Sequence, residues 1–193
     1  MNVTPEYNDE CITETSHHTM EYTKDHVENI CKMVLDLSAD ILKNVGLYHK
    51  EGIYQDLLIH ELNSLHYKTI REKVFNYTFK DSVGSLIYIG NNQCLRSDIE
   101  LPDDHGILEL KASTSDASND NIWQLRNYLE QRTDLQWGSI VNFISKCTPK
   151  CQPRVQCIIL YKSTHPITSQ NTYSKQVLYS EEYSPEQFAF EEW

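Results

Sequence analysis

Apolar side chains recur along the chain with two different periods, and the change from one to the other sets the order of the elements. From about Lys24, the residues Val27, Ile30, Cys31, Val34, Leu37, Ser38, Ile41, Leu42 and Val45 fall three or four apart. That spacing predicts a helix that stops near Gly46. A second helix is expected from about Glu51 to Leu65, with Ile53, Tyr54, Leu57, Leu58 and Leu62 turned inward. The period then shortens. Val74, Tyr77 and Phe79 lie among β-favouring residues and predict a strand over Lys68–Lys80. Asp81–Gly84 reads as a turn, Ser85–Ile89 as a second strand, Gly90-Asn-Asn as a turn and Cys94–Leu101 as a third strand. Pro102-Asp-Asp-His-Gly106 is a strong turn signal, with a fourth strand, Ile107–Ala112, after it. Ser113–Asp120 is a polar loop ending in a helix cap. A helix from Asn121 to Arg132 and strands near Ser139–Ser145 and Val155–Tyr161 follow. Beyond His165-Pro166 the pattern is irregular, apart from a short apolar piece at Gln176–Tyr179.

The resulting order, α–α–β–β–β–β–α–β–β, is a hairpin-rich sheet followed by a helix and a return strand, a mixed α/β fold. Residues 1–23 are polar and without period, and are expected to form a mobile acidic arm. The folded domain is expected over 24–165, with an acidic, aromatic extension over 166–193. A length of 193 residues, 39% apolar and 23% charged, suits one ordinary globular domain. No apolar run reaches the ~18 residues of a membrane-spanning helix, so no membrane partner is expected. The opening MNVTPEYNDE has neither the basic nor the apolar region of a secretory signal. The expectation is an intracellular protein, cytoplasmic or nuclear, and not a secreted one. Six scattered cysteines fit that better than a disulfide framework.

The formal net charge of −11 argues at first against a polyanionic partner. Its distribution removes the objection. Residues 1–30 hold seven acids against Lys24 alone, residues 181–193 hold five acids and no base, and the span between is balanced. A neutral body with a local basic patch can still bind nucleic acid.

Candidate chemistry sits on the third and fourth strands. Side chains alternate along a strand, so Glu109 and Lys111 share one face while Leu108 and Leu110 take the other. The Pro102–Gly106 turn makes the two strands antiparallel neighbours, which brings Asp98 within reach of that face. Two carboxylates a few ångströms apart repel unless a hard divalent cation bridges them. A neighbouring lysine can orient water or neutralise charge developing on a phosphate. Taken alone, an E-x-K pair on a strand is an ordinary solvated salt bridge.

Five blocks in register change that weighting. Arg96-Ser-Asp98 followed by Glu109-Leu-Lys111 resembles the PD-(D/E)XK nuclease superfamily. Gly46-Leu-Tyr-His-Lys-Glu51-Gly-Ile-Tyr54 resembles the helix opening of its GxxExxY branch. Trp123-Gln124-Leu-Arg126-Asn-Tyr128 resembles its Q-x-x-x-Y helix, and Gly138-Ser-Ile-Val-Asn142-Phe143 its G-x-x-x-N-F strand. The resemblance implies a restriction-endonuclease-like mixed sheet flanked by helices, here with an added N-terminal helix. It also implies a metal-dependent nuclease acting on phosphodiesters, DNA in the first place. By the same resemblance Asp98 and Glu109 would ligate Mg²⁺ or Mn²⁺, with the carbonyl of Leu110 a further ligand. Glu51 would complete the acidic cluster. Lys111 would hold the attacking water or stabilise charge on the phosphate, and Gln124 and Tyr128 would position that lysine or the backbone of the substrate. Arg96 and Arg126 would contact nucleic acid, or in the case of Arg96 also Glu51. The Q-x-x-x-Y helix resembles that of recombination and repair nucleases. A homodimer stays open. The alternative is a catalytically idle domain of this fold that binds nucleic acid or a protein. Three features depart from the family pattern: Asn121 stands where an acid or histidine is common, Gly46 stands without a Pro-Gly after it, and Asp103 and Asp104 add charge to the turn.

Other features weigh less. Cys147, Cys151 and Cys157 are loosely compatible with zinc or an iron–sulphur cluster, but Cys157 reads as a strand-core residue and the others as loop thiols. His17-His18 reads as surface, and the tail from Tyr183 to Trp193 as frayed or packed on the body. Trp123 could stack on unpaired bases, although on a mostly apolar helix it reads as core.

Overall fold

The computed structural model describes residues 23–76, 78–80, 86–88, 94–145, 152–165 and 167–183. Helix α1 (Lys24–Val45) starts at Thr23, whose side chain accepts from the His26 N–H, and ends at Gly46, where φ is 92°. Its stripe from Val27 to Leu42 is buried as the spacing predicts. Gly46 therefore closes α1 rather than opening the next helix. Helix α2 (Glu51–Ser64) buries Tyr54, Gln55, Leu58 and Leu62, while Ile53, expected inward, is exposed. The strands are β1 (Ile70–Asn76), β2 (Thr78–Lys80), β3 (Leu86–Tyr88), β4 (Cys94–Leu101), β5 (Gly106–Ser113), β6 (Trp137–Ile144), β7 (Arg154–Thr164) and β8 (Asn171–Tyr179). Helix α3 (Asn119–Gln131) lies between β5 and β6. The expected arm before Thr23, both turns around β3, Cys147 and Cys151, and the tail after Tyr183 lie outside the described residues.

Among the described residues, six strands form one mixed sheet in the order β1-β4-β5-β6-β7-β8, and β2 pairs with β3. The single strand expected over Lys68–Lys80 is thus two strands in two ladders. A second correction concerns the stretch beyond His165, which is a full edge strand against β7, not an irregular tail. Its polar residues hid it. As the last strand, β8 keeps alternate side chains in solvent and shows no apolar run. The sheet therefore runs on to Tyr179.

One pairing is parallel, β5 with β6, and α3 is its crossover. The two faces are covered unequally. Helices α1 and α2 pack with Leu108, Leu110, Val141, Phe143 and Ile159 on one face. Helix α3 packs with Ile107, Ile140, Ile158 and Leu160 on the other. No helix among the described residues is long and apolar enough to cross a membrane.

The closed end of the β4–β5 hairpin leaves no slack. A Cβ on Gly106 would fall inside the Trp137 ring, which is fully buried and whose Nε1–H donates to the Asp104 carbonyl at 2.8 Å. Gly106→Ala is expected to cost about 3 kcal/mol by overpacking, roughly 6–12 °C in Tm. A thermal melt within a degree or two of wild type would contradict this packing.

Candidate active site

Strands β4 and β5 pair only over Ile99↔Leu108, Glu100↔Ile107 and Leu101↔Gly106. Beyond that they part, and the parting creates the site. Main-chain groups that a continuing ladder would have used find side-chain partners instead. The Leu110 N–H donates to Asp98 Oδ2 at 2.7 Å. Gln55, from α2, donates to the Asp98 carbonyl at 2.8 Å, and the Tyr128 hydroxyl, from α3, donates to the Arg96 carbonyl at 2.9 Å. One helix from each face of the sheet thus holds β4 open. Asp103 and Asp104 lie at the opposite, closed end of the hairpin, against Lys68 and His26.

Glu109 faces this opening with 2% of its surface exposed. Its Oε1 accepts from the Lys111 ammonium at 2.7 Å and from Gln124 Nε2 at 2.7 Å. Its Oε2 is buried and has no hydrogen-bond partner among the described residues. Gln124 also donates to the Tyr128 hydroxyl at 2.6 Å. The Q-x-x-x-Y pair therefore grips Glu109 and the β4 main chain, one helical turn apart on one face, and its contact with Lys111 runs through Glu109. Glu51 enters from the first turn of α2, close enough to the Ala112 N–H, Lys111 and Asp98 for each to act on its charge.

The electrostatics follow from crowding. Burial, then the Asp98 charge, pushes the Glu109 carboxyl up to about 7. Burial also raises Asp98, against the pull of the Leu110 N–H and Lys111, and raises Glu51, with Asp98 adding to it. Burial draws the Lys111 ammonium down, but its hydrogen bond to Glu109 and the charges of Glu109, Glu51 and Asp98 outweigh that and leave it above the ordinary lysine value. Tyr128 is pushed up to about 12 by burial and by Glu109, so it acts as a neutral hydrogen-bond donor. Among the described residues, the Lys111 ammonium stands amid the carboxyl groups of Glu51, Asp98 and Glu109.

Among the described residues, no three His, Cys, Asp or Glu side chains converge as a ready ion cage. The donor chemistry nevertheless suits a hard divalent cation. The orphaned Glu109 Oε2 lacks only a positive partner. In a strand the N–H and C=O of one residue point to the same edge, so the Leu110 carbonyl faces the same opening as its N–H. The cysteines offer less: Cys157 is fully buried on β7, its Sγ 3.0 Å from Ser139 Oγ and near Cys31.

Further side chains support the site from behind. Tyr54 donates to the Gly46 carbonyl at 2.9 Å and stacks on Phe143 at 4.2 Å, which closes the loop that delivers Glu51. Asn142 and Gln156 hold the loop from β5 to α3 through Ser113, Ser115 and Ala117. Asn121 completes a capping box with Ser118, which accounts for an amide at that position. Gln55 is signalled only as a polar residue on an inward helix face. Glu72 carries no signal at all. It falls opposite Asp98 in the β1–β4 register, outside the paired positions, with φ at 48°, and its carboxylate takes Arg96 at 3.3 Å. Arg96 thus meets Glu72, not Glu51. Arg126 lies on the outer side of α3, and Trp123, expected in the core, is 55% exposed.

No curated protein and no solved structure gives a significant match to the chain. One family model does, described as the PD-(D/E)XK nuclease superfamily, over residues 28–155. That span runs from α1 to β7 and includes Glu51, Asp98, Glu109, Lys111, Gln124 and Tyr128. With its mixed six-stranded sheet, flanking helices and parted central hairpin, the chain belongs to the PD-(D/E)XK nuclease superfamily.

Proposed function

We propose that the protein is a metal-dependent nuclease that hydrolyses phosphodiesters in DNA, with Glu51, Asp98, Glu109 and Lys111 at its centre. The observation that carries this is the buried Oε2 of Glu109, without a hydrogen-bond partner among the described residues, beside a second carboxylate and a part-buried ammonium. A structural salt bridge has no use for an orphaned oxygen of that kind. Asp98, Glu109 and the Leu110 carbonyl would hold Mg²⁺ or Mn²⁺, with Glu51 closing the set. A cation bound there supplies Lewis-acid activation of the phosphate.

The remaining chemistry belongs to the side chains. Lys111, protonated at neutral pH, donates to the incoming water or to a non-bridging phosphate oxygen and offsets the added negative charge. Gln124 fixes the rotamer of Glu109, and Tyr128 fixes the strand that carries Asp98. In the reaction the water oxygen bonds to phosphorus and the ester P–O bond opposite breaks. One water proton ends on the leaving alcohol and the other in solvent. Arg96 and Arg126 supply charge toward the strand. The match of Glu51 and Tyr54 to the GxxExxY pattern, and of Gln124 and Tyr128 to recombination and repair nucleases, supports a place in that branch and role.

The test is a cleavage assay on linear and circular DNA in Mg²⁺, Mn²⁺ or EDTA, with Asp98→Ala alongside. Cutting that needs the metal and Asp98 is expected. If wild type and variant are equally silent on every substrate, the idle-binder alternative replaces the enzyme.

A further inference from the structure

The strongest feature outside the carboxylate cluster is an aromatic group on the outer shoulder of α3. Trp123 adjoins Gln124, whose amide touches Glu109, and successive helix residues lie ~3.8 Å apart at about 100° around the axis. Gln124 and Tyr128 look to the β4–β5 flank of α3, and Trp123 stands on the solvent side of the helix, turned with Arg126 toward Tyr173 on β8. It belongs to neither hydrophobic core, and more than half of it is in solvent. Arg126, three residues on and so on the same side, lays its guanidinium 5.1 Å from the Trp123 ring centre and 4.9 Å from that of Tyr173 on β8. Its charge partner among the described residues, Glu130, stands at a loose 3.8 Å with both groups partly in water, which leaves the cation largely uncompensated. The guanidinium lies against the indole, more than half of which stays in solvent.

We propose that Trp123, backed by Arg126 and Tyr173, is a stacking platform for an unpaired base on the strand that leads away from the phosphate being cut. The occupant is a base of a single-stranded or frayed DNA segment. An exposed indole takes any base, since every base has a π-face, whereas bases paired inside a duplex are stacked on each other and cannot reach it. The flanking guanidinium suits the anionic backbone that such a strand brings with it. This deepens the nuclease reading and rests on it: the platform selects strands with unpaired bases flanking the cutting site, and it does so without reading sequence.

The test is fluorescence anisotropy with labelled 20-mer oligo-dT and a blunt, loop-free duplex of equal length. Ca²⁺ serves as a hard oxygen-ligated cation, and denaturing gels confirm that the DNA stays whole. Trp123→Ala is expected to weaken oligo-dT binding about tenfold, ~1.4 kcal/mol, and duplex binding less than twofold. Trp123→Phe should keep most of the affinity, which separates stacking from a folding defect. If wild type binds oligo-dT and Trp123→Ala binds it equally well, the platform is wrong and the nuclease reading stands. If wild type binds neither DNA, both fall together.

Discussion

In EDTA at pH 8, Glu109→Gln is expected to melt above the wild type while losing at least ~10³-fold in metal-dependent cleavage. The two effects have one origin. Burial, then the Asp98 charge, lifts the Glu109 carboxyl from 4.5 to about 7, so the folded state prefers it protonated. A carboxyl raised on folding contributes stability that is fully present below pH 4.5 and is lost as pH rises through 7. The amide of the variant cannot ionise and keeps that stability at pH 8. At 1.36 kcal/mol per pH unit the difference is on the order of 3 kcal/mol, roughly 6–12 °C in Tm for a chain of this size. The substitution is also isosteric: the amide oxygen can still accept from Lys111 and Gln124, and the new NH₂ fills the place of the orphaned Oε2. Below pH 4.5 the two proteins should converge. Adding Mn²⁺ should raise the wild-type Tm, because a ligand bound only by the folded state stabilises it, and leave the variant unmoved. Thermal melts from pH 4 to 9, with and without metal, check each statement. A variant that melts at or below wild type at pH 8 would mean that Lys111 already compensates the Glu109 charge.

Much of this geometry could be anticipated wherever short-range pattern decides it. The alternation that puts Glu109 and Lys111 on one face, the turn that brings Asp98 alongside, and the i, i+4 spacing of Gln124 and Tyr128 are local and came out as expected. What could not be anticipated depends on pairings remote in the chain. Glu72 faces Asp98 only because β1 and β4 pair in one register. Gln55 matters only because β4 and β5 part at Asp98. The strand β8 has no apolar run because a sheet edge needs none. Trp123 misled for the opposite reason: an aromatic on a helix with apolar neighbours predicts core, and only the packing of α3 shows which side of the helix is left bare. Gln124, expected to position the lysine or the backbone of the substrate, donates to the glutamate.

Lys111→Ala provides the complementary result: cleavage falls ~10²–10³-fold, but the Tm rise with Mn²⁺ persists or grows. Lys111 holds one oxygen of Glu109 and stands among the charges of Glu109, Glu51 and Asp98. Without the ammonium those carboxyl groups repel one another more strongly, so a bound cation relieves more repulsion in the variant than in wild type. Lys111→Arg should not restore activity, since a planar fork cannot replace a compact ammonium in a site this enclosed. The same environment decides the role of the lysine. Burial alone would lower its pKa and free the amine as a base, but the three surrounding acids reverse that and hold it above the ordinary value. A lysine acting as general base would gain deprotonated fraction with each pH unit, and the ratio of wild-type to Lys111→Ala rates would climb about tenfold per unit. A permanently charged lysine predicts a ratio that stays flat from pH 7 to 9. Single-turnover rates at those two pH values separate the roles, and a climbing ratio would make Lys111 the proton acceptor instead of the electrostatic group.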